Sequence, residues 1–233
     1  MTRRETLLYI IYFFPEEAFN ISLQTVLSVS IAHCKIIYLI MKLHSDALYH
    51  IYNRGNNSQK LFFTESNYLF LLSKIRKELT PYGDILCYCL MPNHFHLIIH
   101  SHEIAIPHQL NNAIGILLRS YTRAINRQEH RTGSLFQQKT KAKELNMNDN
   151  NTVSYLVSCA HYIHQNPIKA GLTKNLSEWK FSSYLDFAGL RNGTLCNQEL
   201  FFKLSGMKKD DFIKESETML DFRRNAWKAS ARK

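Results

Sequence analysis

Asp84-Ile85-Leu86-Cys87-Tyr88-Cys89-Leu90-Met91, then Pro92-Asn93, then His94-Phe95-His96-Leu97-Ile98-Ile99-His100 is the stretch on which the fold turns. Two short apolar runs flank a Pro-Asn break, the pattern of a β-hairpin. In the second run residues two apart share a face, so His94 and His96 project side by side while Phe95, Leu97 and Ile99 face a core. Upstream, residues 48–53 read as a strand, with turn chemistry in Arg54, Gly55, Asn56 and Asn57. A helix begins at Thr64 and Asn67, carries Leu69, Leu72, Ile75 and Leu79 on one side, and is ended by Pro81 and Gly83. Downstream, residues 107–131 read as a second helix, Gly133 breaks it, and residues 134–143 alternate as one more strand. The order β, α, β, β, α, β predicts an α+β fold, the ferredoxin-like split βαβ arrangement of an antiparallel sheet with two covering helices. A small helical C-terminal region follows a polar linker at 146–151. Its first helix spans 153–164 and is stopped by Pro167 and Gly171, and further helical pieces lie at 196–205 and 209–229.

The chain has 233 residues, 45% of them apolar, with eight Gly and five Pro. That is enough to bury a core, and it excludes a disordered tail or a collagen-like polymer. Five cysteines, an odd number, do not make the framework of a small secreted scaffold and place the chain in a reducing compartment, the cytoplasm. Lys and Arg number 29 against 19 Asp and Glu, a formal +10. Residues 1–47 are charge-balanced, so the whole excess lies downstream, where it favours a polyanionic partner. This first segment is an atypical apolar extension, and Met41 is an alternative start. Its stretch from Ile21 to Met41 is interrupted by Ser, Gln, His and Lys35 and makes a poor membrane span, so membrane association is not expected.

Neutral imidazoles are ligands for divalent cations, and His94 with His96 would need only one or two oxygen or amide donors from elsewhere. Alone, His-x-His is equally the polar face of an ordinary strand. Cys87-x-Cys89 lacks a second ligand pair and reads as core packing. His161 and His164, three apart on a helix, read as packing or surface residues. On the second helix, at about 100° per residue, Tyr121 falls in the middle of the apolar stripe of Ile114, Leu117, Leu118 and Ile125. Arg119, Arg123, Arg127 and Arg131 form a separate basic ridge, continued by Lys139, Lys141 and Lys143. Tyr121 is therefore either a core tyrosine or a phenol directed at the sheet, able to act as a nucleophile beside a cation held by the histidines.

Tyr49-His50-Ile51-Tyr52-Asn53-Arg54-Gly55, Met91-Pro92-Asn93-His94-Phe95-His96-Leu97, Ser120-Tyr121-Thr122-Arg123 with Asn126, and Gly133-Ser134-Leu135-Phe136-Gln137 occur in that order. They are followed by Tyr162-Ile163-His164-Gln165-Asn166-Pro167-Ile168-Lys169-Ala170-Gly171-Leu172, and then by Trp179, Phe181, Ser182, Ser183 and Tyr184. Over residues 48–190 the set resembles the HUH single-tyrosine transposases, the REP-associated tyrosine transposases in particular. The resemblance implies a catalytic domain at 48–145 and a helical region at 146–233. It implies a metal-dependent single-strand endonuclease and strand transferase acting on hairpin-forming repeat or element-end DNA, with no small-molecule cofactor. His94 and His96 would ligate Mg²⁺ or Mn²⁺, and Tyr121 would form a 5′-phosphotyrosine link, within one subunit or across a homodimer. Relatives often take a third ligand one helical turn past the tyrosine, but Ile125 stands there and cannot ligate. Asn126 serves only if the helix distorts, and Gln128 is an outside candidate. Arg54, Arg119, Arg123, Arg127, Arg131, Lys139 and Lys141 are the expected nucleic-acid contacts. The rival expectation is a sheet that binds single strands by stacking and basic contacts, without chemistry.

Overall fold

Four strands and the helices between them follow the expected order. In the computed structural model, which describes residues 43–103, 107–145 and 152–230, they are β1 (Leu48–Arg54), α1 (Glu65–Leu79), β2 (Gly83–Met91), β3 (His94–Ser101), α2 (Pro107–Gln128) and β4 (Lys141–Glu144). All neighbouring strands are antiparallel, in the order β2-β3-β1-β4. That is the ferredoxin-like topology, with β1 and β3 at the centre. Beyond it come α3 (Thr152–Lys169), the short α4 (Tyr184–Phe187), α5 (Gln198–Ser205) and α6 (Lys209–Ser230). The N-terminal extension up to residue 42, including Met41, and the polar linker at 146–151 lie outside the described residues. Among the described residues no helix is long and apolar enough to cross a membrane.

The hairpin closes at Pro92-Asn93, with Met91 opposite His94. Residues paired across antiparallel strands share a face, so the register sorts the sheet into two sides. One side carries Tyr49, Ile51 and Asn53 opposite Ile99, Leu97 and Phe95. The other carries Arg54 opposite His94, Tyr52 opposite His96 and Lys141, and His50 opposite Ile98 and Lys143. Helices α1 and α2 cover the first side: Phe95 meets Phe136 edge-on, Phe136 meets Tyr121 of α2, and Tyr121 meets Phe62 and Phe70. Helix α3 covers the second side, where Tyr162 meets His50 and His96. Covering helices on both faces explain why β2 reads as a nearly unbroken apolar run rather than an alternating one.

Several elements differ from the periodicity reading. The buried stripe of α1 is Asn67, Tyr68, Leu71, Ile75 and Leu79, whereas Leu69 is 56% exposed. Helix α2 ends at Gln128 rather than 131. Of the strand expected at 134–143 only the end pairs as a ladder, in Lys141–Glu144; upstream of it Phe136 makes a single bridge with Gly55. Helix α3 runs through Pro167 instead of stopping at it. A proline has no N–H for the carbonyl four residues back, and here Asn166 Nδ2 donates to that carbonyl, Ile163 O, and to Tyr162 O. The helix then ends in a Schellman turn. Gly171 takes φ +70°, its N–H donates to Ile168 O, and that of Leu172 donates to Pro167 O.

Past α3, the segment Phe181–Ser183 lies along the outer edge of β2. Leu90 N–H donates to Phe181 O, Ser183 N–H donates to Tyr88 O, and Trp179 Nε1 donates to Leu90 O. The edge strand's free backbone groups are thereby paired, which removes a template for aggregation. Phe62, Tyr68 and Phe181 stack in a column at 4.0 and 3.8 Å between centroids and tie this segment to the first covering layer.

Candidate active site

The pleat brings His94 and His96 to one face, as their spacing requires. Their rings stand nearly perpendicular, at 87°, with centroids 5.1 Å apart. The Arg54-Gly55 turn holds this end of the sheet: Gly55 N–H donates to Asn93 O, and a Cβ on Gly55 would lie 2.1 Å from Gln59 O, so only glycine fits. Burial pushes the His94 imidazole down to about 4, with a further contribution from the Arg54 guanidinium. Burial pushes His96 down to about 2, helped by its neighbours His50 and His94. Both rings are neutral at pH 7, the state in which imidazole offers a lone pair.

A third histidine stands beside them. His50 of β1 faces His96 across the diagonal of the register, with Nε2 2.9 Å from His96 Nδ1 and the rings stacked at 5.1 Å. His50 is itself pushed down to about 4 by burial and by the positive charge of Lys143. His94 Nδ1 lies 2.7 Å from Asn93 Oδ1, while Asn93 Nδ2 donates to Ser58 O. An amide oxygen only accepts, so His94 carries its proton on Nδ1 and presents Nε2 as a lone pair. That is the arrangement of a metal-binding histidine held by an outer acceptor.

Two tyrosines stand on this face, Tyr52 of β1, with its ring 5.7 Å from that of His96, and Tyr162 of α3; Tyr121 is not among them. Half-buried on α3, Tyr162 sets its ring edge-on to His96 at 5.8 Å and to His50 at 6.4 Å. One turn on stands Asn166, its amide nitrogen tied to the helix carbonyls. Two turns on, the Lys169 ammonium lies 5.9 Å from the Tyr162 ring centre. The expectation that Tyr121 reaches the histidine pair is not met. Tyr121 is 0% exposed behind the sheet and donates its hydroxyl to Leu61 O at 2.8 Å. Burial pushes its phenol well above the ordinary value, the wrong direction for a nucleophile. The apolar stripe of α2 was real, but it points into the layer of Phe62, Phe70 and Phe136.

The expected third ligands fall on that same far side. Asn126 donates to Gly133 O at 2.8 Å, and Gln128 accepts from Asn67 of α1 at 2.7 Å. Arg119, Arg123 and Arg127 are exposed on α2, and Arg131 is partly buried just beyond its end. Arg54 and Lys141 share the face of the histidines, with Lys143 one row further, and Lys139 is exposed in the loop before β4. The Cys87-x-Cys89 pair is buried core, as read, and His161 and His164 are both buried packing residues. Residue typing alone passed over Tyr162, His50, Asn166 and Lys169. Their signal was present in the motifs Tyr49-His50-Ile51 and Tyr162 to Lys169, and Tyr162, Asn166 and Lys169 recur at 4 and 7, one helix face.

Among the described residues no group of three or more His, Cys, Asp or Glu can hold a metal ion. The donor set that remains is two neutral imidazoles, which suit a divalent cation that takes its other ligands from oxygen. No family model matches the chain. No curated protein matches it either. Among solved structures it is similar to a REP-associated tyrosine transposase bound to a REP hairpin, at 16% identity and a TM-score of 0.51, covering 64% of this chain and 83% of that one. It is also similar to a bacterial tRNA(His) guanylyltransferase-like protein in complex with GTP, at 8% identity and a TM-score of 0.37 over 64% and 78% of the two chains. The transposase likeness bears on fold alone: this chain shares the α+β architecture of that structure.

Proposed function

We propose that this chain is a metal-dependent single-strand DNA endonuclease and strand transferase of the HUH type, with Tyr162 as its nucleophile. The observation that carries the reading is the edge-on approach of Tyr162 to His96 and His50 on the polar face of the sheet. His94 and His96 would hold Mg²⁺ or Mn²⁺, completed by the oxygen of Asn166, the residue one turn past the tyrosine. When bound, the cation would polarise the scissile phosphate and offset charge in the transition state.

Tyr162 Oη attacks phosphorus, the Oη–P bond forms and the P–O3′ bond breaks. The phenolic proton is lost to solvent as the departing 3′-oxygen gains one, so the proton count is unchanged. A 5′-phosphotyrosine ester and a 3′-hydroxyl result, and attack by a second 3′-hydroxyl on the ester rejoins strands without ATP. The Lys169 ammonium, 5.9 Å from the Tyr162 ring centre, would meet a phosphate brought to the phenol. One chain supplies both the tyrosine and the histidines, so the proposed reaction runs within a subunit and needs no homodimer. Arg54, Lys141 and Lys143 take phosphates of the cleaved strand. The α2 ridge of Arg119, Arg123, Arg127 and Arg131 lies on the other side and takes a second length of DNA such as a hairpin stem, the kind of DNA on which the similar transposase was seen, and Lys139, exposed in the loop before β4, adds to the basic surface.

Incubating the full chain with hairpin-bearing single-stranded DNA and Mn²⁺ tests this: a covalent adduct should form with the native protein and with Tyr121→Phe, and be absent with Tyr162→Phe. An adduct that survives Tyr162→Phe overturns the assignment. The second reading, a non-catalytic single-strand binding module, is favoured by the lack of a three-residue His, Cys, Asp or Glu group among the described residues. Tight, salt-sensitive binding without an adduct under any divalent cation would select it.

A further inference from the structure

We infer that His50 is a positioning residue for His96: its Nε2 accepts the Nδ1 proton of His96, so that His96 presents an Nε2 lone pair to the polar face of the sheet. The choice of donor rests on the function proposed above, because a 2.9 Å contact between two ring nitrogens fits either ring as donor.

The two ring nitrogens are 2.9 Å apart, so one proton lies between them, and the ring that donates it fixes the tautomer of both. If His50 donated, the remaining proton of neutral His96 would sit on Nε2 and the ring would have nothing to offer a cation. If His96 donates, its Nε2 is free. His96 is 6% exposed and His50 8%, an enclosed setting that disfavours an uncompensated imidazolium, so each ring carries one proton.

The neighbouring ligand is built the same way. His94 has an acceptor, Asn93 Oδ1, at its Nδ1, and in this arrangement His96 has one too, in His50 Nε2. Each histidine of the pair is thus met at Nδ1 by an outer group, one from the hairpin turn and one from the adjacent strand. The His50 ring is itself held in place, 8% exposed, 4.8 Å from the Tyr52 ring and 6.4 Å from that of Tyr162. Outer partners of metal-binding histidines set tautomer and orientation in this manner, and their loss typically costs about 10–100-fold in metal affinity or activity.

The test uses the full chain with ¹⁵N-labelled histidine. Long-range ¹H–¹⁵N correlation spectra of the metal-free protein report the tautomer, with the His96 signals identified by their loss in His96→Gln. Native His96 should show a pyrrole-like Nδ1 and a pyridine-like Nε2. His50→Phe keeps a ring of similar size without an acceptor, and should lose that pattern and weaken Mn²⁺ binding, measured calorimetrically, by about 10–100-fold. His50→Gln restores an acceptor oxygen and should recover part of both, which a purely structural role would not produce. Circular dichroism of each variant checks folding, and if His50→Phe does not fold, the native spectrum and His50→Gln still decide. A native His96 protonated on Nε2, or a folded His50→Phe with native tautomer and native Mn²⁺ affinity, overturns the inference. If the tautomer behaves as stated but no protein binds Mn²⁺ or forms the phosphotyrosine link, the positioning role stands and the nuclease reading falls.

Discussion

On the two faces of one sheet, Tyr121 and Tyr162 sit under opposite conditions. Tyr121, behind the sheet, is sealed among Phe62, Phe70 and Phe136 and gives its hydroxyl to a backbone carbonyl. Tyr162, in front, is half-buried and faces neutral imidazoles, with a lysine ammonium close by. The same phenol is a structural strut in one setting and available for chemistry in the other. A buried hydroxyl must satisfy its hydrogen bond locally, and once satisfied it is no longer free to reach a substrate. The sheet therefore separates stability from function by side: the apolar face supplies the packing, and the polar face spends its burial on keeping His50, His94 and His96 uncharged.

The sharpest way to break this comparison is to exchange the roles of the tyrosines. Tyr162→Phe should reduce adduct formation by about 10³-fold or more, the scale on which enzymes lose rate when a nucleophile is removed, with little change in the thermal midpoint. Tyr121→Phe should do the reverse. It leaves Leu61 O without its donor and should cost about 1–3 kcal/mol of stability in chemical denaturation, while the adduct still forms. If Tyr121→Phe abolished the adduct in a folded protein, the two faces would have been assigned the wrong way round.

Next in size, His94→Ala and His96→Ala should each remove Mn²⁺ binding in calorimetric titration and strand cleavage with it, and chelation should do the same to the native chain. Asn166→Ala should weaken Mn²⁺ binding by an intermediate amount, whereas Asn126→Ala, on the far side, should leave it unchanged. Equal effects of the two asparagine changes would blur the boundary between the faces.

Smaller effects should separate the two basic surfaces. Lys141→Ala should weaken binding of a short unstructured strand and lower the slope of log affinity against log salt by about 0.7, the value for one phosphate contact on a single strand. Arg123→Ala should leave that strand unaffected and weaken only DNA that carries a duplex stem. The smallest signature is alkaline. Tyr121 and Tyr68 are both held protonated by burial, Tyr68 up to about 12. Their stabilisation is complete below the unfolded value near 10 and is lost as pH rises through the folded values, because the unfolded chain gives up these protons first. The thermal midpoint should decline above about pH 10, and less so in Tyr121→Phe.

The fold was legible because each of its signals is local. The Pro92-Asn93 break, the alternation through His94 to His100 and the apolar stripe of α2 each depend on residues a few positions apart, and together they specify the strand order. Where local signals competed they misled. Leu69 matched a helical spacing, yet Tyr68 and Leu71 are the residues that α1 buries, since the tilt of a helix on its sheet is set by the partner surface. Pro167 read as a stop, but the side-chain amide of Asn166 supplies a donor to the carbonyl that the proline leaves unpaired.

The sequence by itself determined that two imidazoles share a face, that a basic excess lies beyond residue 47, and that the chain alternates strands and helices in the split βαβ order. Only the tertiary structure decided that Tyr162, and not Tyr121, lies on the face of those imidazoles. Periodicity identifies the apolar side of a helix but carries no information about which side of the sheet that helix will cover. That choice is made by contacts between residues far apart in the chain, His96 with Tyr162 on one side and Tyr121 with Leu61 on the other.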